Sequence, residues 1–165
     1  QIAEMKVDVP MLAMTHCDAA KLSKQHGKKA EYALCASQWH KTLSYTDAFF
    51  KDGMTYDADF KKAFGYAPPY QAAESSAALL VFKDAFERAN DFNTKKVRNA
   101  LAKTDMQTFY GNIKFAKGGQ NVSKPMVLFQ VICNSDGSKC ENKVVAPTKW
   151  ASAKLVHPTP SWSKR

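Results

Sequence analysis

Two histidines and two cysteines near the N-terminus are the residues most able to do chemistry in this sequence. His16 and Cys17 are adjacent, and Cys35 and His40 follow further along the chain. Thiolate and imidazole groups are common zinc ligands, so these four residues could hold a metal ion. The spacing lacks the short Cys-x-x-Cys turn of structural zinc sites. A disulfide bond, or two buried free thiols at Cys17 and Cys35, is therefore favoured over a metal.

The second cysteine pair surrounds a turn. Cys133 and Cys140 flank the stretch NSDGSK, which separates two strand-like runs. Cysteines on facing strands across such a turn can lie close enough to bond. The sequence therefore predicts a Cys133–Cys140 disulfide and an oxidising compartment, with Cys17–Cys35 as the second pair.

The acidic residues do not form a recognisable catalytic set. Asp57 and Asp59 are two positions apart on a predicted helix, so they do not share a face and are interpreted as solvated. Asp47 and Asp52 lie in an irregular segment without an obvious partner. There is no glycine-rich phosphate loop, no Gly-x-Ser-x-Gly and no His-Glu-x-x-His. We predict that the protein is not an enzyme and uses no cofactor and no metal.

The net charge of +9 raises the question of a polyanionic partner or a membrane surface. The lysine pairs at 28–29, 61–62 and 95–96 are scattered over separate segments, and no aromatic residues are interleaved with them to stack on bases. No apolar run is long enough to span a bilayer. We therefore interpret the charge as a lysine-rich solvated surface and predict no nucleic-acid partner.

The order of predicted elements indicates an α/β fold. Strand-like runs at 7–14 and 30–36 enclose a short helix that starts at Asp18 and ends at Gly27, a β-α-β unit typical of a parallel sheet. Helical patterns follow, and the second of them is small or apolar on almost every side, as in a helix buried against a sheet. The predicted helices are residues 55–65, 69–90 and 91–103, and a further strand is predicted at 143–147.

Two strand-like runs near residue 120 differ in character. The run from Asn112 to Phe115 alternates, as in a strand with one wet face, whereas the run from Met126 to Val131 is nearly all apolar, as in a strand covered on both faces. The spacer between them is too long for a tight hairpin and contains Pro125. The pattern suggests that the chain leaves one structural layer and enters another.

The N-terminal stretch QIAEMKVDVPMLAM has neither an initiator methionine nor the layout of a signal peptide. It begins as the tail of a helix and runs directly into a strand. We therefore expect the chain to be part of a longer protein.

A succession of short motifs resembles the C-terminal half of the periplasmic substrate-binding proteins of ABC importers, the branched-chain amino-acid-binding (type I) family. The resemblance covers about residues 28 to 162, and its most specific part is Gly111, Ile113, Phe115 and Gly119. The motifs, in order, are FGYAPPYQAAESSAALLVFKDAFERA, KKVRNALAKT, FYGNIKFAKGGQ, MVLFQV, VVAP and HPTPSW.

The resemblance implies a three-layer α/β sandwich with two lobes joined by crossing segments, of which this chain would hold parts of both lobes. Residues 1–40 and 126–165 would belong to the C-terminal lobe, and residues 41–125 to the N-terminal lobe. The segment 110–131 would then be one hinge crossing, and the segment from Trp39 to Tyr45 another.

The resemblance also implies a function. The protein would be an extracytoplasmic, periplasmic solute-binding protein that captures an amino acid or a related small organic acid and delivers it to the membrane permease of an ABC importer. The expected ligand-binding residues are Thr15, His16, Trp39 and Tyr70; hinge packing is an equal alternative for Trp39 and Tyr70. Thr15 or His16 stands where amino-acid binders in the family tend to place a carboxylate. This favours an organic or aromatic acid over a plain amino acid as the ligand.

Two further possibilities remain open. The same fold could serve as a ligand-sensing receptor or regulatory module instead of a transport protein. The long apolar helix needs more sheet than residues 41–126 supply, so it is expected to pack either on a missing N-terminal part of the same protein or on a second copy of this chain.

Overall fold

The computed structural model describes residues 1–15, 17 and 19–164, and only the backbone at positions 19, 20 and 23. It is a mixed α/β structure, as the sequence predicted. In chain order its strands and longer helices are β1 (Ala13–Thr15), α1 (Ala19–His26), β2 (Leu34–Ser37), β3 (Thr46–Asp47), β4 (Lys51–Asp52), α2 (Gly53–Phe64), α3 (Tyr70–Ala89), α4 (Thr94–Leu101), β5 (Asp105–Thr108), β6 (Gly111–Lys114), β7 (Val127–Cys133) and β8 (Cys140–Ala146).

The chain forms two compact units. Residues 1–37 and 126–165 form unit 1, and residues 38–125 form unit 2. The chain therefore passes from one unit to the other twice, after Ser37 and after Pro125. The assignment of these parts to the lobes of a binding protein stays a prediction.

Unit 1 contains a four-stranded sheet in the order β1-β2-β7-β8. β1 and β2 are parallel, as expected for a β-α-β unit, and β7 pairs antiparallel with both β2 and β8. The sheet face under α1 carries the apolar core of the unit. That core consists of Ala30, Ala33, Cys35, Phe129, Val131 and Cys140, with Met14, Cys17, Leu22 and Cys133 packed against it.

The first strand is shorter than the predicted run 7–14. Pro10 has no backbone N–H to give to a ladder, and residues 7–10 contact the C-terminal tail instead of a neighbouring strand. The backbone of Thr159 donates to the Pro10 carbonyl, and the indole of Trp162 donates to the Val7 carbonyl. These bonds hold the proline-rich tail against the N-terminal segment.

The helices of unit 2 begin and end at residues with the expected capping chemistry. The Asp52 carboxylate accepts a hydrogen bond from the Thr55 amide at 2.7 Å and starts α2, and Gly65 ends it with a positive φ of 78°. The Asn93 side chain accepts hydrogen bonds from the amides of Lys95 and Lys96 and starts α4, which lies within the predicted helix 91–103.

Helix α3 has one packed face and one open face. Ala73, Ala77, Val81 and Ala85 recur at helical spacing and are buried in unit 2. A second apolar stripe on the same helix remains exposed: Leu79 is 68% exposed, Phe82 46% and Phe86 38%. Unit 2 alone therefore does not cover the apolar surface of this helix.

The two strand-like runs near residue 120 join different sheets. β6 pairs with β5 in an antiparallel hairpin of unit 2, whereas β7 lies in the sheet of unit 1 between β2 and β8. This explains why the run that forms β6 has one solvent-exposed face, whereas the run that forms β7 is apolar almost throughout. None of the helices that the structure describes has the length and apolar character that crossing a bilayer demands.

Candidate functional site

Thr15 is the last residue of β1 and is exposed. It pairs with Ala36 of the parallel strand β2, so it lies where both strands reach their carboxyl ends. Ligands of open α/β sheets bind beyond such strand ends. His16, the neighbouring predicted ligand residue, lies outside the described residues.

A disulfide bond joins Cys17, two residues after the end of β1, to β2. Cys17 is bonded to Cys35, with their Cα atoms 5.6 Å apart. The alternatives of two free thiols and of a metal site at these cysteines are therefore wrong, because a disulfide offers no thiolate ligand. Cys133 and Cys140, which are cross-strand partners in β7 and β8, form the second disulfide.

Trp39 lies in the aromatic core of unit 2. Its side chain is 5% exposed, and its ring meets Tyr56 and Phe109 edge-on, at 5.9 Å and 6.1 Å between ring centres. The Phe109 ring in turn stacks on Tyr56 at 4.3 Å. This arrangement holds the ring rigidly at the start of unit 2 and favours the packing alternative for Trp39, although its role in binding remains a prediction.

Tyr70, the first residue of α3, is half-buried and does not line the cavity of unit 2. Burial raises the pKa of the neighbouring Tyr110, and the charges of Glu74 and Tyr70 add to the effect. The cavity has a volume of about 680 Å³ and lies between α3, α4 and the hairpin region that contains β6. Thr15, by contrast, belongs to unit 1.

Lys124 is the unusual side chain of this cavity. Its ammonium donates a hydrogen bond to the Gln38 carbonyl and lies 4.0 Å from the centre of the Tyr110 ring. Its aliphatic part crosses Gly111, where an added Cβ would come within 2.5 Å of the lysine chain. Burial lowers the pKa of Lys124 to about 8. A glycine at position 111 is therefore required for this lysine to lie where it does.

The prediction that Asp57 is solvated is wrong. Asp57 is 7% exposed, and its Oδ2 accepts hydrogen bonds from Lys41 at 3.1 Å and from Lys61 at 2.6 Å. Burial would raise the pKa of Asp57, but the two lysines outweigh burial and hold it below the usual value. Asp59 is exposed, as predicted. The aspartate thus joins α2 to the segment that follows Trp39.

Asp47 also has partners that the sequence did not suggest. One carboxylate oxygen accepts from the amides of Phe49 and Phe50, and the other accepts from the Phe109 amide at 2.6 Å. These bonds orient the loop after β3 and the turn between β5 and β6. Asp47 is therefore a structural acceptor, and nothing about it indicates catalysis.

Sequence reasoning did not single out Lys124 or the cavity. The one available signal was a lysine immediately before Pro125, between a glycine-rich turn and an apolar strand. Such a position has no characteristic pattern, because the burial of the lysine depends on Gln38, Tyr110 and Gly111, which are not its neighbours in the sequence.

Comparison with known families assigns the class of the protein. The family model described as periplasmic binding protein matches residues 1–138 of this chain. The chain therefore belongs to the periplasmic binding protein family, whose members are substrate-binding proteins of transport systems.

Solved structures of this class share the fold. A leucine-, isoleucine-, valine-, threonine- and alanine-binding protein of Brucella ovis is 15% identical, with a TM-score of 0.69, and the match covers 96% of this chain and 42% of that protein. A leucine-binding protein of Thermotoga maritima is 21% identical, with a TM-score of 0.63 and coverages of 83% and 37%.

A third similar structure holds a ligand. The branched-chain amino acid substrate-binding protein LivJ of Streptococcus pneumoniae, in complex with isoleucine, is 17% identical, with a TM-score of 0.63. The match covers 87% of this chain and 39% of that protein. The chain thus spans about two-fifths of the length of these solved structures, and at these identities the likeness shows the fold alone.

Proposed function

We propose that this chain is the C-terminal part of an extracytoplasmic solute-binding protein that captures a branched-chain amino acid or a related small organic acid for an ABC importer. The match of the periplasmic binding protein model to residues 1–138 carries the proposal. Two similar proteins are described in complex with isoleucine and with leucine, which supports a small α-amino acid or an analogue as ligand. The partner would be the membrane permease of the importer.

The periplasm is the proposed compartment. Both disulfides lie in unit 1, and such bonds persist in oxidising surroundings. One of them holds Cys17, which follows β1, against Cys35 of β2, and Thr15 at the end of β1 would contact the ligand together with His16. Trp39 and Tyr70 would contribute from unit 2.

A complete binding site requires more protein than this chain holds. The exposed stripe Leu79, Phe82 and Phe86 on α3 is the surface that the missing N-terminal part of the protein would cover. Exposed apolar patches of this kind are rare on soluble monomers and mark contact surfaces. We propose that this stripe packs on the sheet of the N-terminal lobe; pairing with a second copy of the chain is the other outcome to test.

The test is ligand binding by the complete two-lobe protein. Isothermal titration with leucine, isoleucine, 4-methyl-2-oxopentanoate and benzoate should give saturable 1:1 binding of at least one compound, at micromolar concentration or below. His16→Ala should weaken that binding at least tenfold with little change in melting temperature, because a cleft residue contributes more to affinity than to the core.

The matched control is His26→Ala, at the exposed C-terminal end of α1, which should leave the affinity unchanged. Absence of binding for all four compounds would argue against the proposed ligand class. Unchanged affinity in His16→Ala, together with a large loss of stability, would show that His16 is structural. The 165-residue chain alone should bind these compounds poorly and associate in light scattering.

A further inference from the structure

The two connections that join unit 2 to unit 1 are attached to one turn of unit 2. On the outgoing connection, the Trp39 ring packs edge-on against Phe109. On the returning connection, the ammonium of Lys124 lies over the Tyr110 ring. Phe109 and Tyr110 are consecutive residues between β5 and β6. The same turn therefore holds the chain where it enters unit 2 and where it leaves.

That turn has a fixed geometry of its own. Thr108 and Phe109 are fully buried, and Tyr110 is 5% exposed. The Thr108 hydroxyl donates to the Gly111 carbonyl at 2.9 Å, and the Phe109 amide donates to the Asp47 carboxylate at 2.6 Å. Buried groups whose hydrogen bonds are satisfied favour a single arrangement. The turn is thus a rigid support for the two connections.

Lys124 also links the two connections to each other. Its ammonium donates a hydrogen bond to the carbonyl of Gln38, 86 positions away in the chain. Gln38 directly follows Ser37, which forms the last pair of the β2–β7 ladder with Val127. The lysine side chain therefore continues the pairing of the two segments beyond the point where the backbone ladder ends.

The position of Lys124 is set from several sides. Gly111 leaves open the space that the lysine chain occupies, because an added Cβ would lie 2.5 Å from both Cδ and Cε of Lys124. Burial lowers the pKa of Lys124 to about 8, as expected for an ammonium that is largely removed from water. A lysine in these surroundings is held in one place, unlike a lysine that is free in solvent.

We propose that Lys124 is a positioning residue, which joins residues 38–39 and 124–125, together called the neck, into one rigid part of unit 2. The movement that accompanies ligand binding is then confined to the bonds between the neck and the Ser37–Val127 pair. A loose neck spreads that movement over more residues and lowers the population of the binding-competent conformation. The statement about ligand binding rests on the proposed function, whereas the rigidity of the neck does not.

Hydrogen exchange of the complete binding protein, followed by mass spectrometry, measures the rigidity of the neck. Lys124→Met removes a charged donor, and exchange of residues 38–44 and 111–124 should become about tenfold faster. Exchange of α2 should stay unchanged, because unit 2 as a whole remains folded. Lys117→Met changes an exposed lysine shortly after β6 in the same way, and this matched control should exchange like the parent protein.

Two further variants separate the role of the lysine from general packing. Lys124→Arg keeps a cationic donor that can stack on Tyr110, so exchange of the neck should stay within about threefold of the parent value. Gly111→Ala should act through the lysine and raise exchange of residues 38–44 to the level of Lys124→Ala. The double variant should exchange no faster there than Lys124→Ala alone, because the displaced side chain is already absent.

Ligand affinity tests the consequence for function. In the complete protein, Lys124→Met should weaken the binding of leucine and of isoleucine by the same factor, about three- to tenfold, through faster dissociation. The factor is equal because Lys124 acts on the neck, whereas a residue that contacts the ligand changes the ratio of the two affinities. Lys124→Arg should restore both affinities.

Failure of this inference differs from failure of the proposed function. If neither amino acid binds to the parent protein, the proposed ligand class is wrong, and exchange alone decides whether Lys124 holds the neck. Unchanged exchange of residues 38–44 in Lys124→Met would overturn the inference. Exchange that rises equally in α2 would also overturn it, since the lysine would then only stabilise unit 2. If Lys124→Met failed to fold, Gly111→Ala and Lys124→Arg would provide the same comparison.

Discussion

Gln130 and Val156 exchange two hydrogen bonds. The Gln130 amide group donates to the Val156 carbonyl at 3.1 Å, and the Gln130 side-chain oxygen accepts from the Val156 amide at 2.9 Å. The same amide group also donates to the Tyr32 carbonyl at 3.1 Å. The fully buried side chain of Gln130, in the middle of β7, thus binds the backbone N–H and C=O of Val156 in the C-terminal tail, as a neighbouring strand would.

Gln130→Leu should therefore destabilise unit 1. The substitution leaves the polar backbone groups of Val156 and Tyr32 without this partner, which costs about 2–4 kcal/mol in the free energy of unfolding. Urea unfolding measures the loss, and hydrogen exchange should show earlier opening of residues 155–162. Gln25→Leu, on the exposed side of α1, is the control and should change stability by less than about 0.5 kcal/mol. Equal effects of both changes would contradict this role of Gln130.

Asp57→Asn should destabilise unit 2, whereas Asp59→Asn on the same helix should not. Removing the negative charge leaves Lys41 and Lys61 without their shared counter-ion, and we expect a loss of about 1–3 kcal/mol. Asp59 is exposed and serves as the matched control. Chemical unfolding of the two variants at pH 7 measures their free energies of unfolding. If Asp57→Asn were as stable as the parent chain, the ion pairs would contribute nothing to stability.

The same aspartate predicts a pH dependence. Its pKa in the folded state lies below the usual value, so the stabilisation is fully present above the unfolded pKa of about 3.9 and is lost as pH falls through the lower folded value. The stability difference between the parent chain and Asp57→Asn should be constant from pH 5 to 7 and shrink below about pH 4. A difference that grows on acidification would reverse the assignment.

Reduction of the disulfides should destabilise unit 1 selectively. All four cysteines lie in unit 1, and the bonds close loops with sequence separations of 18 and 7 residues. Chain entropy predicts losses on the order of 3 and 2.5 kcal/mol for Cys17–Cys35 and Cys133–Cys140. Calorimetry with and without reductant, on the parent chain and on paired Cys→Ser variants, measures each bond. A variant without cysteines should be insensitive to reductant.

Lys124 should make stability rise with pH. Its folded pKa of about 8 lies below the unfolded value of about 10.4, so between these values the unfolded chain binds more protons. Relative to Lys124→Met, the free energy of unfolding should increase from pH 7.5 to 9.5, with a slope no steeper than ~1.4 kcal/mol per pH unit. A parallel pH profile for both proteins would show that the lysine is solvated. Lys62→Gln removes an exposed charge on α2 and is the control.

Patterns of local origin could be predicted from the sequence. The helix from Tyr70 to Ala89 follows from small and apolar residues after a proline pair, and α4 follows from the Asn93 cap. The Cys133–Cys140 bond could be inferred from a turn sequence between two strand-like runs. Each of these depends on neighbours in the chain, which a sequence displays directly.

Features that depend on distant partners could not be predicted. Asp57 is buried because Lys41 reaches it from another segment, and Lys124 is buried because Gln38, Tyr110 and Gly111 surround it. The strand at 7–14 was predicted too long, since the tail competes for the backbone of residues 7–10. Apolar periodicity indicates that a residue is buried but does not name its partner.

The pairing of Ser37 with Val127 has a consequence for the connectivity of this chain and for its folding during synthesis. These residues are antiparallel partners at the point where the chain leaves and re-enters unit 1. In chain order, unit 2 is therefore an insertion between the paired strands β2 and β7, which a β-turn could otherwise connect. A gene in which a two-residue Asn-Gly turn replaced codons 38–126 would still encode every strand of the sheet. During synthesis, β2 leaves the ribosome long before β7. Unit 2 can therefore begin to fold before the sheet of unit 1 has received β7, the strand that pairs with both β2 and β8.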